Sequence, residues 1–560
     1  MLEGCTPWPP ELARRYVRDG WWQARTLAEA IEHAARTHPH RTFLSDRDGR
    51  LTYREVDRLA DRLAVELLGC GLRSRDIVLV QLPNVREFVL VFFALHKIGV
   101  VPVLCLPAYR RSEIGHFAAM TGATAHFFSP GFRGFDYVAM AKEVQAGAPA
   151  LQHLIATGYG TDPGVRYIGP WLERASEPVD RESALGPHRP DPFDVAFMLL
   201  SGGTTGVPKL IPRTHADYAY NARECARALG WGPDTVYMVG LPAAHNFALG
   251  APGMVAALAV GGSVALASST DPDELLGAIE RLRPTVLPVT PALLFALLDC
   301  PRRDNYDLTS LRQVCVGGQR MLPELFDRLR ATFRHATPLQ AFGMAEGLTN
   351  LSRPDDSLPM RRETQGRPVS PADEIRVVNE DGTDVPAGAV GELITRGPYT
   401  ICGYYRSAEH NRTAFTPDGY YRTGDLVRVH ASGNLVVEGR KKDLVNRGGE
   451  KISAEEVENL ILAHEKVQMV AVVAMPDPVM GERSCAYVIP KADASLSLAE
   501  LNEFLLARKI AKFKLPERLE MVQSFPCTAM GKVSKKALRE EIAAKVQAES
   551  GAGGAPPRGA

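Results

Sequence analysis

The run Ser201-Gly202-Gly203-Thr204-Thr205-Gly206-Val207-Pro208-Lys209 gathers donors for an anion into nine residues. Its three glycines let the backbone fold back until several N–H groups face one point, and three hydroxyls add donors around it. Lys209 contributes a compact point charge suited to phosphate. The pattern is not a Walker loop, which needs Gly-Lys-Ser/Thr opening a helix, because Val207-Pro208 separate the last glycine from the lysine. The plain alternative is a flexible polar turn, and the density of Ser, Thr, Gly and Lys argues against it.

Such a loop needs a rigid element behind it, and 195–200 reads as a buried strand ending at Ser201. Strands alternate with helices through the first 400 residues. Residues 51–68 have helical periodicity after a cap at Thr52; 76–81 and 100–105 read as strands around a helix at 85–98. Further strands are expected at 124–128, 236–241, 263–266, 286–289 and 313–316. This alternation predicts an α/β fold: a large N-terminal domain of layered, largely parallel sheets. Around 375–394 the pattern changes to strands joined by turns at Asp381-Gly382 and Ala387-Gly388, a β-rich subdomain. The expected organisation is an N-terminal domain over 1–439, a hinge at 440–443, a small mobile α+β C-terminal domain over 444–545, and a disordered tail over 546–560.

Composition narrows the class. Lys plus Arg equals Asp plus Glu at 65 each, so no net field favours nucleic acid or an anionic membrane. The nine cysteines stand singly, without a C-x-x-C pair, as expected of reduced thiols and not of a disulfide framework or zinc site. The opening residues lack the basic-then-apolar run of a signal peptide, and the apolar stretch 88–106 is broken by His96, Lys97 and Pro102. The expected location is the cytoplasm, with no membrane or nucleic-acid partner.

The loop at 201–209 resembles the phosphate loop of the adenylate-forming superfamily of acyl-CoA synthetases, peptide-synthetase adenylation domains and luciferases. Four more segments agree, in the family's order. They are Gly343-Met344-Ala345-Glu346-Gly347, Tyr421-Arg422-Thr423-Gly424-Asp425, Gly439-Arg440-Lys441-Lys442-Asp443, and Gly531-Lys532 before Val533-Ser534-Lys535. The resemblance implies ATP and Mg²⁺ as cofactors. Ser201, Gly202, Gly203, Thr204, Thr205, Gly206 and Lys209 would hold phosphates, and Gly317, Gly318, Gln319, Gly343, Met344 and Ala345 would line the nucleotide. Asp425 would accept hydrogen bonds from both ribose hydroxyls, which suits an acceptor-only carboxylate, with Arg440 beside it. Glu346 would be the magnesium carboxylate. Joining a carboxylate to the α-phosphate brings two anions together, so cations matter more than covalent catalysis. Lys532 would supply that cation from an exposed loop. Lys442 would be the pivot on which the small domain turns between half-reactions.

Pro242-Ala243-Ala244-His245-Asn246-Phe247 resembles the aryl-acid–AMP ligase branch, which activates dihydroxybenzoate or salicylate. His245, Asn246, Phe247, Ala251, Gly318 and Thr349 are then substrate-binding, with His245 also counted as catalytic. Asn246 stands where amino-acid-activating domains place Asp, and a neutral amide suits an uncharged ortho hydroxyl or ring nitrogen. Dihydroxybenzoate ligases usually carry Tyr and Ser where this chain has Phe247 and Ala251. A second ring hydroxyl would go unpartnered, at roughly 1–3 kcal/mol. The expected substrate is therefore 2-hydroxybenzoate, or a larger heteroaromatic or bicyclic acid admitted by space beside Gly250 and Ala251. Dihydroxybenzoate is the less favoured choice. The expected acceptor is the phosphopantetheine thiol of a separate aryl carrier protein, with coenzyme A second. From other classes, a luciferase-like oxidoreductase and a non-catalytic acyl-adenylate-binding protein remain as alternatives.

Overall fold

The computed structural model describes residues 1–174, 179–201, 208–448, 450–492, 494–528 and 532–552. They form two compact units: Met1–Met321 with Leu325–Glu374 and Thr395–Tyr421, and Leu322–Glu324 with Ile375–Ile394 and the chain from Arg422 onward.

In the first unit, Ile77–Gln81 is buried at every position and pairs in parallel with Val101–Leu104 and Ala125–Phe128. A strand covered on both faces gains nothing from alternation, which is why its sequence is apolar up to Gln81. Val195–Leu200 extends this seven-stranded sheet, parallel to Val101–Leu104, and Leu210–Thr214 returns antiparallel to it. The phosphate-loop candidate is thus the connection of an edge hairpin. Helix Tyr53–Gly69 starts where Thr52 predicts: the hydroxyl accepts from Glu55 N while the Glu55 carboxylate accepts from Thr52 N at 2.7 Å. Helix Arg86–Lys97 is buried almost all round, and its Lys97 turns inward onto Asp57 at 2.7 Å, Asp61 at 2.8 Å and Glu32 at 3.2 Å. Among the described residues no helix is long and apolar enough to cross a membrane.

The second sheet of this unit has nine strands. Gln313–Gly317 lies between Val286–Val289 and Thr337–Gly343, all parallel, with Gly317 level with Ala341. The segments after Gly317 and Gly343 therefore leave from neighbouring strand ends, the edge at which open parallel sheets bind ligands. Thr349–Leu351 then returns antiparallel, setting Thr349 opposite Gly343. Helix His215–Ala228 runs from a second capping box, Thr214 with Asp217. Its first turn is clamped by Arg213, wholly buried, which pairs with Asp217 at 2.7 Å and donates to Ala345 O at 3.0 Å.

The second unit joins a four-stranded sheet, Glu374–Val378, Gly391–Arg396, Tyr421–Val429 and Leu435–Arg440, to a five-stranded one carrying helices Ala454–Leu462, Leu498–Ala507 and Lys535–Ala552. Gly382 and Gly388 take φ of +85° and +79°, the left-handed region their turns demand. The compact division differs from the break expected at 439. The β-rich segment goes with the C-terminal chain, tied to it by Ser453 Oγ donating to Glu438 O at 2.7 Å and by a Lys451–Glu380 ion pair. The last helix also continues to Ala552, past residue 546 where the tail was expected to begin.

Candidate active site

Ser201 and Lys209 close the hairpin that carries the glycine-rich loop: Ser201 N donates to Lys209 O, and Lys209 N to Ser201 Oγ, both at 2.9 Å. Gly202, Gly203, Thr204, Thr205 and Gly206 lie outside the described residues. The Lys209 ammonium sits 5.9 Å from the centre of the Tyr404 ring. Tyr404 Oη donates to Glu346 Oε1 at 2.7 Å and lies 3.0 Å from Tyr421 Oη. Burial, and then the Glu346 charge, push the Tyr404 phenol far above its usual value, so it stays a donor and holds the carboxylate in place.

The Pro242–Phe247 stretch is pinned from behind. Asn84 Nδ2 donates to Val239 O and Leu241 O, and Asn84 Oδ1 accepts from Ala243 N at 2.8 Å. His245 caps the short helix Asn246–Leu249, its Nδ1 accepting from Phe247 N at 3.2 Å. Asn246 is 6% exposed. Its Oδ1 accepts from Tyr218 Oη at 2.9 Å, and its Nδ2 donates to Met344 O at 3.4 Å. The Phe247 ring lies against Gly317, where an added Cβ would meet ring carbon Cζ at 2.9 Å. Ala251 is buried, Gly318 and Gln319 are exposed, and Gly318 takes φ of +88°. Thr349 is buried with its hydroxyl turned to Asn221 Oδ1 at 3.5 Å and its N–H donating to Tyr399 Oη. On the Cβ side of Gly250 there is no room, because an added Cβ there would meet the Tyr218 ring at 2.4 Å.

In the second unit, Asp425 and Arg440 face each other across antiparallel strands, with Arg440 Nε 2.7 Å from Asp425 Oδ1. Asp425 is 3% exposed, and Thr423 Oγ1 accepts from its N–H while donating to Leu393 O. Burial raises the Asp425 carboxyl above its usual value, and the charges of Arg440, Lys442 and Lys532 offset part of that rise. Lys532 is half-buried, not on the exposed loop expected for it. Burial first, then repulsion from Arg440, lower its ammonium to about 8. Lys442 is drawn to about 8 by the same causes, but its side chain reaches solvent from the turn Lys441–Asp443, so screening weakens its share.

Residues 31–405 match the AMP-binding enzyme family, and 456–532 match the AMP-binding enzyme C-terminal domain. The chain belongs to the AMP-binding enzyme family. It is 44% identical to the 2,3-dihydroxybenzoate-AMP ligase of Bacillus subtilis, over 98% of this chain and 99% of that one. It is 45% identical to a Streptomyces salicylyl-CoA synthase / salicylate adenylyltransferase, over 97% and 98%. With the Mycobacterium tuberculosis salicyl-AMP ligase / salicyl-S-ArCP synthetase it shares 41% identity over 97% and 95%. The Mycobacterium smegmatis MbtA apo structure superposes with a TM-score of 0.73 at 40% identity, covering 96% of this chain and 99% of that one.

For a member of this family the structure adds supporting groups beyond the candidate residues. Tyr404 on Glu346, Tyr218 on Asn246 and Thr423 beneath Asp425 all hold a motif residue in place. Thr423 lies inside the 421–425 motif, where its spacing from Asp425 is legible in the sequence. Tyr218 and Tyr404 meet partners 28 and 58 residues away, and no local spacing announces such contacts.

Proposed function

We propose that this chain is an aryl-acid–AMP ligase. It joins an ortho-hydroxylated aromatic acid, 2-hydroxybenzoate first among them, to the adenylyl group of ATP and then transfers the acyl group to a phosphopantetheine thiol. The observation that carries the reading is Asn246: a buried, neutral amide fixed on both sides, in a chain 41–45% identical over its length to ligases named for such acids.

A carboxylate oxygen attacks the α-phosphorus, the bond to the pyrophosphate oxygen breaks, and acyl-AMP and pyrophosphate result. Lys532 offsets the charge gathering between the two anions, and Asp425 accepts from the ribose hydroxyls with Arg440 beside it. Ser201, Lys209 and the glycines between them hold phosphates. Gly317, Gly318, Gln319, Gly343, Met344 and Ala345 line the nucleotide. The thiolate then attacks the acyl carbonyl and AMP leaves, with Lys442 as the pivot at 440–443 that separates the two steps. His245 and Phe247 flank the acid with Asn246, and Ala251 and Thr349 complete the wall.

A Mg²⁺ arriving with ATP fits Glu346. That carboxylate is 8% exposed and oriented by Tyr404, and among the described residues no group of three or more His, Cys, Asp or Glu makes a separate metal site. Magnesium bound by one carboxylate, phosphates and water would offset phosphate charge there. A separate carrier protein is the acceptor in this reading, supported by the carrier named for the mycobacterial relative; coenzyme A presents the same thiol. The enzyme would work in the cytoplasm, where nine free cysteines remain reduced.

Pyrophosphate exchange across a panel of aromatic acids tests the reading. Exchange with 2-hydroxybenzoate above 2,3-dihydroxybenzoate and benzoate is expected. The second reading, 2,3-dihydroxybenzoate, is favoured by the name of the Bacillus relative and disfavoured by Phe247 and Ala251, which offer no hydroxyl. For a bicyclic acid, the Tyr218 ring closes the Cβ side of Gly250, so its support rests on Ala251.

A further inference from the structure

Tyr218 sits one turn into the helix His215–Ala228 and is fully buried. Its ring is wedged between the edge of Phe197, 4.7 Å away between centroids, the Arg213 guanidinium at 4.8 Å, and the bare backbone of Gly250. A ring held on three sides cannot swing, so its hydroxyl has one fixed address: Asn246 Oδ1, 2.9 Å away. Burial raises the phenol well above its usual value, so it carries its proton at any assay pH and can donate.

The other side of the amide is fixed as firmly. Met344 O, 3.4 Å from Nδ2, is a backbone carbonyl and can only accept. A side-chain amide flips freely unless its neighbours distinguish oxygen from nitrogen. Here a donor holds the oxygen and an acceptor holds the nitrogen, so the two neighbours select one orientation. One of the two Nδ2 protons serves Met344, and the group left to meet a ligand is the second N–H.

We propose that Tyr218 is a specificity-determining positioning residue: it locks Asn246 as a hydrogen-bond donor, and the pocket thereby selects acids whose ortho group presents a lone pair. The inference rests on the proposed role of Asn246 and deepens it. In a 2-hydroxybenzoate the phenolic proton is taken by the acid's own carboxylate, which leaves the oxygen lone pairs facing outward. A ring nitrogen beside the carboxyl presents a lone pair in the same way. A 2-aminobenzoate also gives one N–H to its carboxylate, but its second N–H points outward and opposes the Asn246 donor. A site that sets two donors against each other leaves both buried and unpaired, which is why such discrimination exceeds that of an apolar pocket.

The test is the ratio of kcat/KM in pyrophosphate exchange for 2-hydroxybenzoate over 2-aminobenzoate, with benzoate as a control that has no ortho group. Tyr218→Phe removes the donor that holds the oxygen and leaves only the 3.4 Å contact to Met344 O to orient the amide, and the ratio is expected to fall at least tenfold while benzoate changes little. Gly250→Ala gives an independent variant, because its new methyl group strikes the Tyr218 ring and moves the hydroxyl; the same fall is expected. In an Asn246→Ala background, Tyr218→Phe should leave the ratio where Asn246→Ala put it. An unchanged ratio in both Tyr218→Phe and Gly250→Ala, alongside a collapsed ratio in Asn246→Ala, would overturn the role of Tyr218 and keep that of Asn246. A ratio that Asn246→Ala does not alter would overturn the reading of Asn246 and the proposal with it. If Tyr218→Phe lowers benzoate and both ortho acids alike, Tyr218 is a packing residue only, and the proposal fails.

Discussion

The two units carry residue clusters of opposite character. The groups that hold Asn246 and its loop are neutral: Tyr218 on the oxygen, Met344 on the nitrogen, Asn84 behind the loop. Around Asp425 the chain instead crowds charge, with Arg440, Lys442 and Lys532 acting on one buried carboxylate and both lysines held near 8. Recognition needs groups that do not move when the ligand arrives, and satisfied hydrogen bonds supply that rigidity. Chemistry between anions needs cations whose charge is not already spent, and the depressed lysines are such cations. The cost of keeping them falls on stability. A lysine whose folded pKa is near 8 destabilises the fold below pH 8, and the penalty fades as pH rises towards 10.5.

Changes at the charged cluster should have the largest effects. Lys532→Ala is expected to slow adenylation by roughly 10²-fold or more, as loss of a preorganised charge does, while ATP binding stays near that of the parent and the melting temperature at neutral pH does not fall. Single-turnover formation of the adenylate is the measurement; a near-normal rate would remove Lys532 from the chemistry. The half-buried position of Lys532 adds a second expectation. The cation is the active form, so adenylation should fall as pH rises through about 8. Lys532→Arg, whose charge persists, should shift that fall to higher pH whatever it does to the rate.

Lys442 separates charge from motion. Lys442→Ala removes the ammonium and should cost adenylation less than tenfold, roughly, because a solvent-reached charge is screened. Lys442→Pro also fixes φ in the turn Lys441–Asp443, and thiol transfer should fall well below the Lys442→Ala level while adenylate still forms. Equal loss of transfer in the two variants would mean that position 442 is not a pivot.

The neutral cluster should answer with small, selective shifts. Ala251→Ser places a hydroxyl at a buried wall position and should move preference towards 2,3-dihydroxybenzoate by ~1–2 kcal/mol, about the value of one buried hydrogen bond. Side-by-side kcat/KM values check this, and a parent enzyme that already prefers the dihydroxy acid would refute the reading of Phe247 and Ala251.

The sequence by itself determined the α/β layering, most strands and helices of the first unit, and the five motif segments. Buried parallel strands are continuously apolar, and capping boxes such as Thr52 with Glu55 announce helix starts within four residues. Motifs were legible for the same reason: phosphate loops and paired glycines are local devices whose residues adjoin along the chain. Only the tertiary structure decided what holds those residues. It set Tyr404 on Glu346 across 58 residues, set the Tyr218 ring against Gly250, and drew Lys532 from its expected exposure into the field of Asp425 and Arg440. It also joined the β-rich segment at 375–394 to the C-terminal chain, where a sequence break at 439 had set them apart. Orientation, burial and pKa depend on neighbours distant along the chain, and those neighbours are fixed only when the sheets close and the helices pack.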